Sequence, residues 1–395
     1  MSDLAVVGAG TMGAWTALHA VRAGWRTTLV DAFGAGSARA TSGDETRIIR
    51  ASHGADAFYT RWSRGAREQW IAFGEAVGTP FVVEAGALWF ARREDGFEAA
   101  SLATLGDLGI PVERLTPAET AARWPQIATE DLAFAVFEPE AGLVMARRAV
   151  AAVAERAERE GATVGLALAR PGSTRGDRLV DIVLGDGRRV AADQFVFACG
   201  PWLPRLFPDV AGDLIRVTKQ DVCFFGPGAG DGRFDAPALP CFVDYDASFY
   251  GIPAVEGRGL KLAPDRYGPV FDPSSGDRLV DPETVRLARR YLAGRFPGLA
   301  DAPVVETRVC QYETTPDTHF VIAPHPAFAN AWLVGGGSGH GFKHGPVIGQ
   351  YVVDRLGGAE PGPDEARFAI DRPRIEGSYG LRTGGDSITT GWQEF

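Results

Sequence analysis

Val6-Val7-Gly8-Ala9-Gly10-Thr11-Met12-Gly13 stands almost at the start of the chain, and Asp31 follows eighteen residues after Gly13. The run reads as a short apolar strand, a glycine turn, a helix from about Gly13 to Ala23, and a second strand, Thr27 to Val30, that ends in an acid. That order is the dinucleotide-binding pattern. Gly8 permits the tight turn, Gly10 lets a pyrophosphate approach the backbone, and Gly13 lets the helix pack closely on the strand. The helix N-terminus offers unbonded N–H groups and a positive dipole end to phosphates. Asp31, at the tip of the second strand, is placed to hydrogen-bond ribose hydroxyls. Glycine turns also occur in ordinary strand–helix connections; the two strands, the helix and the acid together select nucleotide binding. FAD and NAD both fit the pattern.

Outward from this motif, composition sets bounds. The chain has 395 residues, 45% of them hydrophobic and 23% charged, enough for a sizeable core and two domains. A net charge of −10 with no basic stripe argues against nucleic acid as a partner. No apolar run reaches the ~18 residues a membrane span needs, and no leader or C-terminal address is recognised, so a cytoplasmic location is expected. Cys199, Cys223, Cys241 and Cys310 are scattered without a CxxC pair, so neither a zinc site nor a disulfide framework is expected, and no metal is assigned.

Residues 34–45 are small and polar, a long loop of the kind that is usually functional. They lead into Thr46-Arg47-Ile48-Ile49-Arg50, where helical spacing would put Arg47 and Arg50 on one face, either solvated or turned to a pocket. Ala57 to Val77 has helical spacing of Phe58, Trp62, Ala66, Trp70 and Phe73. Strand-like runs follow at 81–83, 87–90 and 132–137, with a helix over 97–107. A helix over 147–160 precedes short strands at 163–167, 179–184 and 189–190. Gln194 to Phe197 is a buried strand running into Ala198-Cys199-Gly200-Pro201-Trp202, either a second backbone approach to a ligand or a tight connection. Antiparallel strands are expected over 215–225 and 249–262, and a helix over 281–295. Ala331-Trp332-Leu333-Val334 then enters Gly335-Gly336-Gly337-Ser338-Gly339-His340-Gly341-Phe342-Lys343, with a helix from about Gly345 to Leu356. These glycines let backbone N–H groups face a flat, polarised ligand. The Pro/Gly-rich tail beyond Ala359 is expected to wrap the surface or be partly disordered.

The pieces alternate. The expected fold is α/β: a Rossmann-like nucleotide domain from residues 1–80, 140–214 and 301–395, interrupted by a mixed or antiparallel-sheet substrate domain from 81–139 and 215–300. Such interruption suits a flavoprotein better than a nicotinamide dehydrogenase.

Over roughly Asp3 to Asp371 the chain resembles the FAD-dependent amine oxidases of the monomeric sarcosine oxidase and N-methyltryptophan oxidase family, within the D-amino-acid-oxidase-like superfamily. The resemblance lies in Val7 to Gly13, Asp44-Glu45-Thr46-Arg47-Ile48-Ile49-Arg50, Ala198 to Trp202, Tyr250-Gly251-Ile252-Pro253, Gly259-Leu260-Lys261-Leu262, Arg308-Val309-Cys310-Gln311-Tyr312 and Gly337 to Lys343. It implies an FAD site formed by Gly8, Gly10, Gly13, Asp31, Ser42, Thr46, Gly200, Trp202, Gly337, Gly339, Gly341, Phe342 and Lys343. It also implies a thioether from Cys310 to the flavin 8α-methyl. By the same resemblance Lys261 is the cation that promotes oxygen reduction, and Arg47 stabilises negative charge on the reduced ring. Arg50 and Lys343 grip a substrate carboxylate, while Tyr250 and Tyr312 line the pocket.

Two departures stand out. Asp265 occupies a position where relatives commonly carry histidine, and Ser42-Gly43 precedes Asp44 where a histidine pair is frequent. An acid in the pocket favours a substrate with a second cationic or hydroxyl group over sarcosine; alternatively Asp265 faces solvent or pairs with Arg266. The implied activity is oxidation of a secondary amine or N-alkyl amino acid by hydride transfer to flavin N5, with imine hydrolysis and reduction of O2 to H2O2, by a monomer acting alone. The alternatives are a dehydrogenase that passes electrons to a partner, a flavin subunit of a larger complex, or a binding module without turnover.

Overall fold

The computed structural model describes residues 2–373. Leu4, Ala5, Val6 and Val7 are each at most 5% exposed, as expected of a parallel strand covered on both faces, whose sequence runs apolar instead of alternating. The strand Asp3–Val7 pairs in parallel with Arg26–Asp31 on one side and Gln194–Phe197 on the other. Phe328–Gly335 and Thr163–Leu166 extend the sheet in parallel, and Val321–His325 closes one edge antiparallel. This six-stranded sheet is the α/β half of the fold. The helices Thr11–Arg22, Ala146–Arg159 and Gly345–Leu356 pack together against it.

The opening motif takes the expected shape. Gly8 has φ +101°, and a Cβ there would lie 2.3 Å from the Ala198 carbonyl oxygen. A Cβ on Gly13 would lie 1.8 Å from the Gly8 oxygen. Strand, turn and helix therefore meet at backbone distance, which only glycine allows.

A second sheet of eight strands runs in the order Val304–Thr314, Arg216–Phe225, Leu260–Pro264, Phe249–Ile252, Cys241–Asp244, Ala87–Ala91, Phe134–Glu138 and Glu113–Leu115. Its pairs are antiparallel except for Cys241–Asp244 on Ala87–Ala91. The helix Pro282–Arg295, capped by the Asp281 side chain on the Glu283 amide, covers part of this sheet. Its last residue, Arg295, is buried against Asp131 and Asp244.

Thr46–Ile49 is a strand, not the helix that the Arg47/Arg50 spacing allowed. It pairs antiparallel with Gly142–Met145, which also receives Val82–Val83. The branched pair Ile48-Ile49 favours the extended chain, and the next residues are tied by Glu138, which accepts from the Ala51 and Ser52 amides at 2.8 and 3.2 Å. The run expected over 179–184 is likewise split, into Arg178–Leu179 and Asp181–Leu184 in separate small sheets. The tail begins as a docked segment: Phe368 is 1% exposed and Arg372 pairs with Asp317 at 2.6 Å. The rest of the tail, with Trp392-Gln393-Glu394-Phe395, lies outside the described residues.

Candidate active site

A cavity of about 460 Å³ begins at the glycine turn and runs between the two sheets. Gly8, Gly10, Asp31, Ser42, Gly200 and Trp202 line it, together with Arg47, Tyr312, Gly337, Gly339, Gly341 and Phe342. The helix Thr11–Arg22 starts at Gly10 with no side-chain cap, so its first amides are available to an anion. The Ser42 hydroxyl is buried without a hydrogen-bond partner among the described residues. A cavity lined by an uncapped helix start and by two glycine-rich turns fits a dinucleotide such as FAD.

Asp31 does more here than the motif implies. Its carboxylate accepts from the Ala9, Phe33 and Gly34 amides at 2.7, 2.7 and 2.8 Å, so it also pins the turn itself. Trp202 donates to Ser274 at 2.9 Å, and its ring lies 5.4 Å from that of Phe33 across the cavity rim.

Behind the wall near Arg47 sits a buried charged cluster centred on Asp44. Its carboxylate takes the Lys261 ammonium, Arg47 Nη1 at 3.0 Å, Arg308 Nη1 at 3.1 Å and the Glu45 amide at 2.8 Å. Burial alone would raise the Asp44 pKa; Lys261 and Arg47 reverse this and hold it well below the usual carboxylate range. Lys261, 1% exposed, also donates to the Thr46 carbonyl at 3.0 Å. Burial draws the Lys261 ammonium below the ordinary lysine range, and Asp44 opposes that pull. Lys261 is therefore an ion-paired cation, a feature that the resemblance did not specify.

Arg47 links this cluster to the cysteine. Its Nη2 donates to the Thr41 carbonyl at 2.7 Å and lies 3.2 Å from Cys310 Sγ. Cys310 and Tyr312 are two apart on the strand Val304–Thr314 and so point the same way. The other three cysteines do not share this setting: burial, as the main cause, pushes the thiols of Cys199, Cys223 and Cys241 above their usual range.

The Tyr312 hydroxyl donates to Asp265 at 3.2 Å, which places Asp265 beside a cavity residue. Tyr250 has its ring 5.9 Å from the Lys261 ammonium. Arg50 lies over the Trp89 ring at 4.6 Å and donates to the Ser52 carbonyl. Lys343, 3% exposed, donates to the His340 carbonyl at 2.9 Å, while the Lys343 carbonyl accepts from Trp70 at 3.0 Å. Arg50 and Lys343 act electrostatically on the same two side chains, His53 and His344, which sets the two cations in one neighbourhood.

Glu313 carried no signal in the sequence beyond standing next to Tyr312. It lines the cavity and is 5% exposed, and its Oε2 has no partner among the described residues. Burial pushes its carboxyl up to about 8, against a hydrogen bond from the Gly337 amide. A group held neutral only when folded adds stability below its unfolded pKa and loses it as pH rises toward the folded one. In flavin-free protein, stability should fall between about pH 4.5 and 8 by on the order of 4 kcal/mol. Glu313→Gln should flatten that slope in melting curves; an unchanged slope would mean the carboxyl finds a partner.

Comparisons over nearly the whole chain give its family. The family model for DAO, FAD dependent oxidoreductase, matches residues 3–355, and the chain belongs to that family. Its relatives within that family include monomeric sarcosine oxidases and N-methyl-L-tryptophan oxidases. It is 32% identical to the monomeric sarcosine oxidase of Streptomyces avermitilis, over 89% of this chain and 92% of the relative. A fructosyl peptide oxidase structure matches with TM-score 0.81 at 22% identity, covering 95% and 94% of the two chains. L-proline dehydrogenase from P. horikoshii matches with TM-score 0.81 at 21% identity, covering 93% and 96%. Among the described residues no helix is long and apolar enough to cross a membrane.

Proposed function

We propose that the protein oxidises a secondary amine or N-alkyl amino acid and passes the electrons to oxygen. The observation that carries this reading is the single cavity joining the uncapped glycine turn to Arg47 and Tyr312, with Cys310 on the Arg47 guanidinium. Gly8, Gly10, Gly13 and Asp31 would hold the adenosine half of FAD. Ser42, Thr46, Gly200, Trp202 and the Gly337–Lys343 loop would hold the remainder. FAD held there would supply the hydride acceptor for the carbon next to the amine nitrogen and the route by which two electrons and two protons would reach O2 as H2O2, while water would hydrolyse the resulting imine.

The chain's own groups have distinct tasks in this reading. Arg50 and Lys343 bind a substrate carboxylate, one as a planar fork and one as a point charge. Tyr312, oriented by Asp265, and Tyr250 position the amine, and Asp265 favours a substrate with an additional hydroxyl or cationic group. Arg47 balances negative charge gained by the cofactor. Lys261, kept charged by Asp44, stabilises the superoxide formed as oxygen is reduced. The two sheets serve as the cores of the FAD and substrate domains.

Cys310 is the proposed point of covalent attachment, because its sulfur lies 3.2 Å from Arg47 Nη2 and its side chain shares a strand face with the cavity residue Tyr312. Acid-precipitated protein should stay yellow, and Cys310→Ser protein should release its flavin to the supernatant. Colour lost equally from both would contradict attachment. Arg50→Ala should raise KM for carboxylated amines by about tenfold to a hundredfold with a smaller change in kcat, as expected when one charged hydrogen bond is removed. An unchanged KM would mean the substrate is held elsewhere.

A second reading has its own support. Asp44 offsets the Lys261 charge, and a dehydrogenase shares the fold. An acceptor other than oxygen would follow if turnover in air released no peroxide.

A further inference from the structure

His53, His340 and His344 each bring one ring nitrogen to within 4.8 Å of the others. They come from two distant stretches of chain, so the cluster exists only in the fold. His53 Nδ1 lies 2.9 Å from the Ala51 carbonyl, and His340 Nε2 lies 3.0 Å from the Thr318 carbonyl. A carbonyl can only accept, so those two nitrogens carry the protons. The opposite nitrogens, Nε2 of His53 and Nδ1 of His340, are left as lone-pair donors. Imidazoles oriented by backbone carbonyls in this way are typical of metal ligands.

The surroundings favour the ligating form. His344 is 0% exposed, and neither of its nitrogens nor His53 Nε2 has a hydrogen-bond partner among the described residues. Tyr59 and Phe320 pack on the cluster, with ring centroids 5.2 and 4.8 Å from His340. Burial, helped by Lys343 and Arg50, keeps His53 and His344 neutral. Leaving both nitrogens of the buried His344 and Nε2 of His53 without a hydrogen bond is costly.

We infer that His53, His340 and His344 form a binding site for one divalent transition-metal ion of the zinc class, with a fourth position open to an anion. Three imidazoles suit zinc, copper or nickel and disfavour calcium or magnesium. Tetrahedral nitrogens at ~2.0–2.1 Å from zinc stand about 3.4 Å apart, so the rings draw together by about 1 Å or more around the ion. The charges of Arg50 and Lys343 oppose a dication, which is why the fourth ligand has to be anionic: hydroxide, chloride or a carboxylate. The site departs from the expectation of no metal, which rested on cysteine spacing and did not weigh histidines almost three hundred residues apart.

The test uses the flavin-loaded protein, stripped with a chelator and titrated with zinc chloride by calorimetry and by competition with a chromogenic chelator. One ion per chain with a Kd of micromolar or below is expected. His344→Phe, which keeps an aromatic ring in the packed site, and His53→Asn should each weaken binding by at least about a hundredfold. His325→Gln, outside the cluster, should leave it unchanged. Absence of binding below millimolar zinc, or the same Kd in the wild type and both cluster variants, would overturn the assignment.

Discussion

Lys261→Met should slow reoxidation of the reduced enzyme by oxygen by about a hundredfold to a thousandfold, the range seen when one preorganised electrostatic group is lost. Anaerobic reduction by substrate should change by less than about tenfold. The separation is expected because Lys261 is buried behind the cavity wall, in contact with Asp44 and Thr46. The variant should fold, since methionine matches the length of the lysine stem and Asp44 keeps Arg47 and Arg308 as partners. Stopped-flow absorbance of the two half-reactions measures both numbers. Equal loss in both would place Lys261 in substrate binding or in the integrity of the fold.

The second large effect concerns Asp44. Its removal leaves Lys261, Arg47 and Arg308 without their shared carboxylate, and breaking a buried pair from one side costs about 3–5 kcal/mol. Asp44→Asn should therefore lower the melting temperature markedly at pH 7. The pH dependence has a definite sign. The Asp44 pKa is depressed in the fold, so its stabilisation is present above the unfolded carboxylate range and is lost as pH falls through the folded value. The melting temperatures of wild type and variant should converge in acid. Reoxidation should respond in the opposite direction of pH. Without its counter-ion, the buried Lys261 loses its proton more readily, so the variant's oxygen reaction should fall as pH rises while the wild type's stays flatter. A variant profile parallel to the wild type would show that Asp44 does not hold the Lys261 charge.

Much of this was legible from residues alone. Val6 to Gly13 with Asp31 declared the nucleotide turn because its own residues lie within about thirty positions, although the strand beside it comes from residues 194–197. The helices at Ala57–Ala76 and Phe97–Asp107 and the strand at Gln194–Phe197 also matched their apolar pattern. Thr46–Ile49 did not, since four residues, three of them branched, are too few to separate a helical period from an extended one. The charged cluster was illegible for a different reason. Asp44 sits in a polar loop that looks solvated, and its partners Lys261 and Arg308 stand 217 and 264 positions away. Glu138 and Glu313 were hidden in the same way, as single acids at the ends of strands whose burial only the assembled sheets create. Family resemblance supplied Lys261, Cys310 and Arg50 as sites, but not the acid that ties the first of them down.

The central proposal is that this cavity oxidises an amine and hands the electrons to oxygen. Anaerobic mixing of the purified yellow protein with a panel of N-methyl, cyclic and glycated amino acids tests it in one experiment, followed by admission of oxygen. The flavin band should bleach with at least one of these amines, then return in oxygen with an equimolar release of hydrogen peroxide. A band that no amine bleaches, or one that bleaches and stays bleached in oxygen, would contradict the proposal.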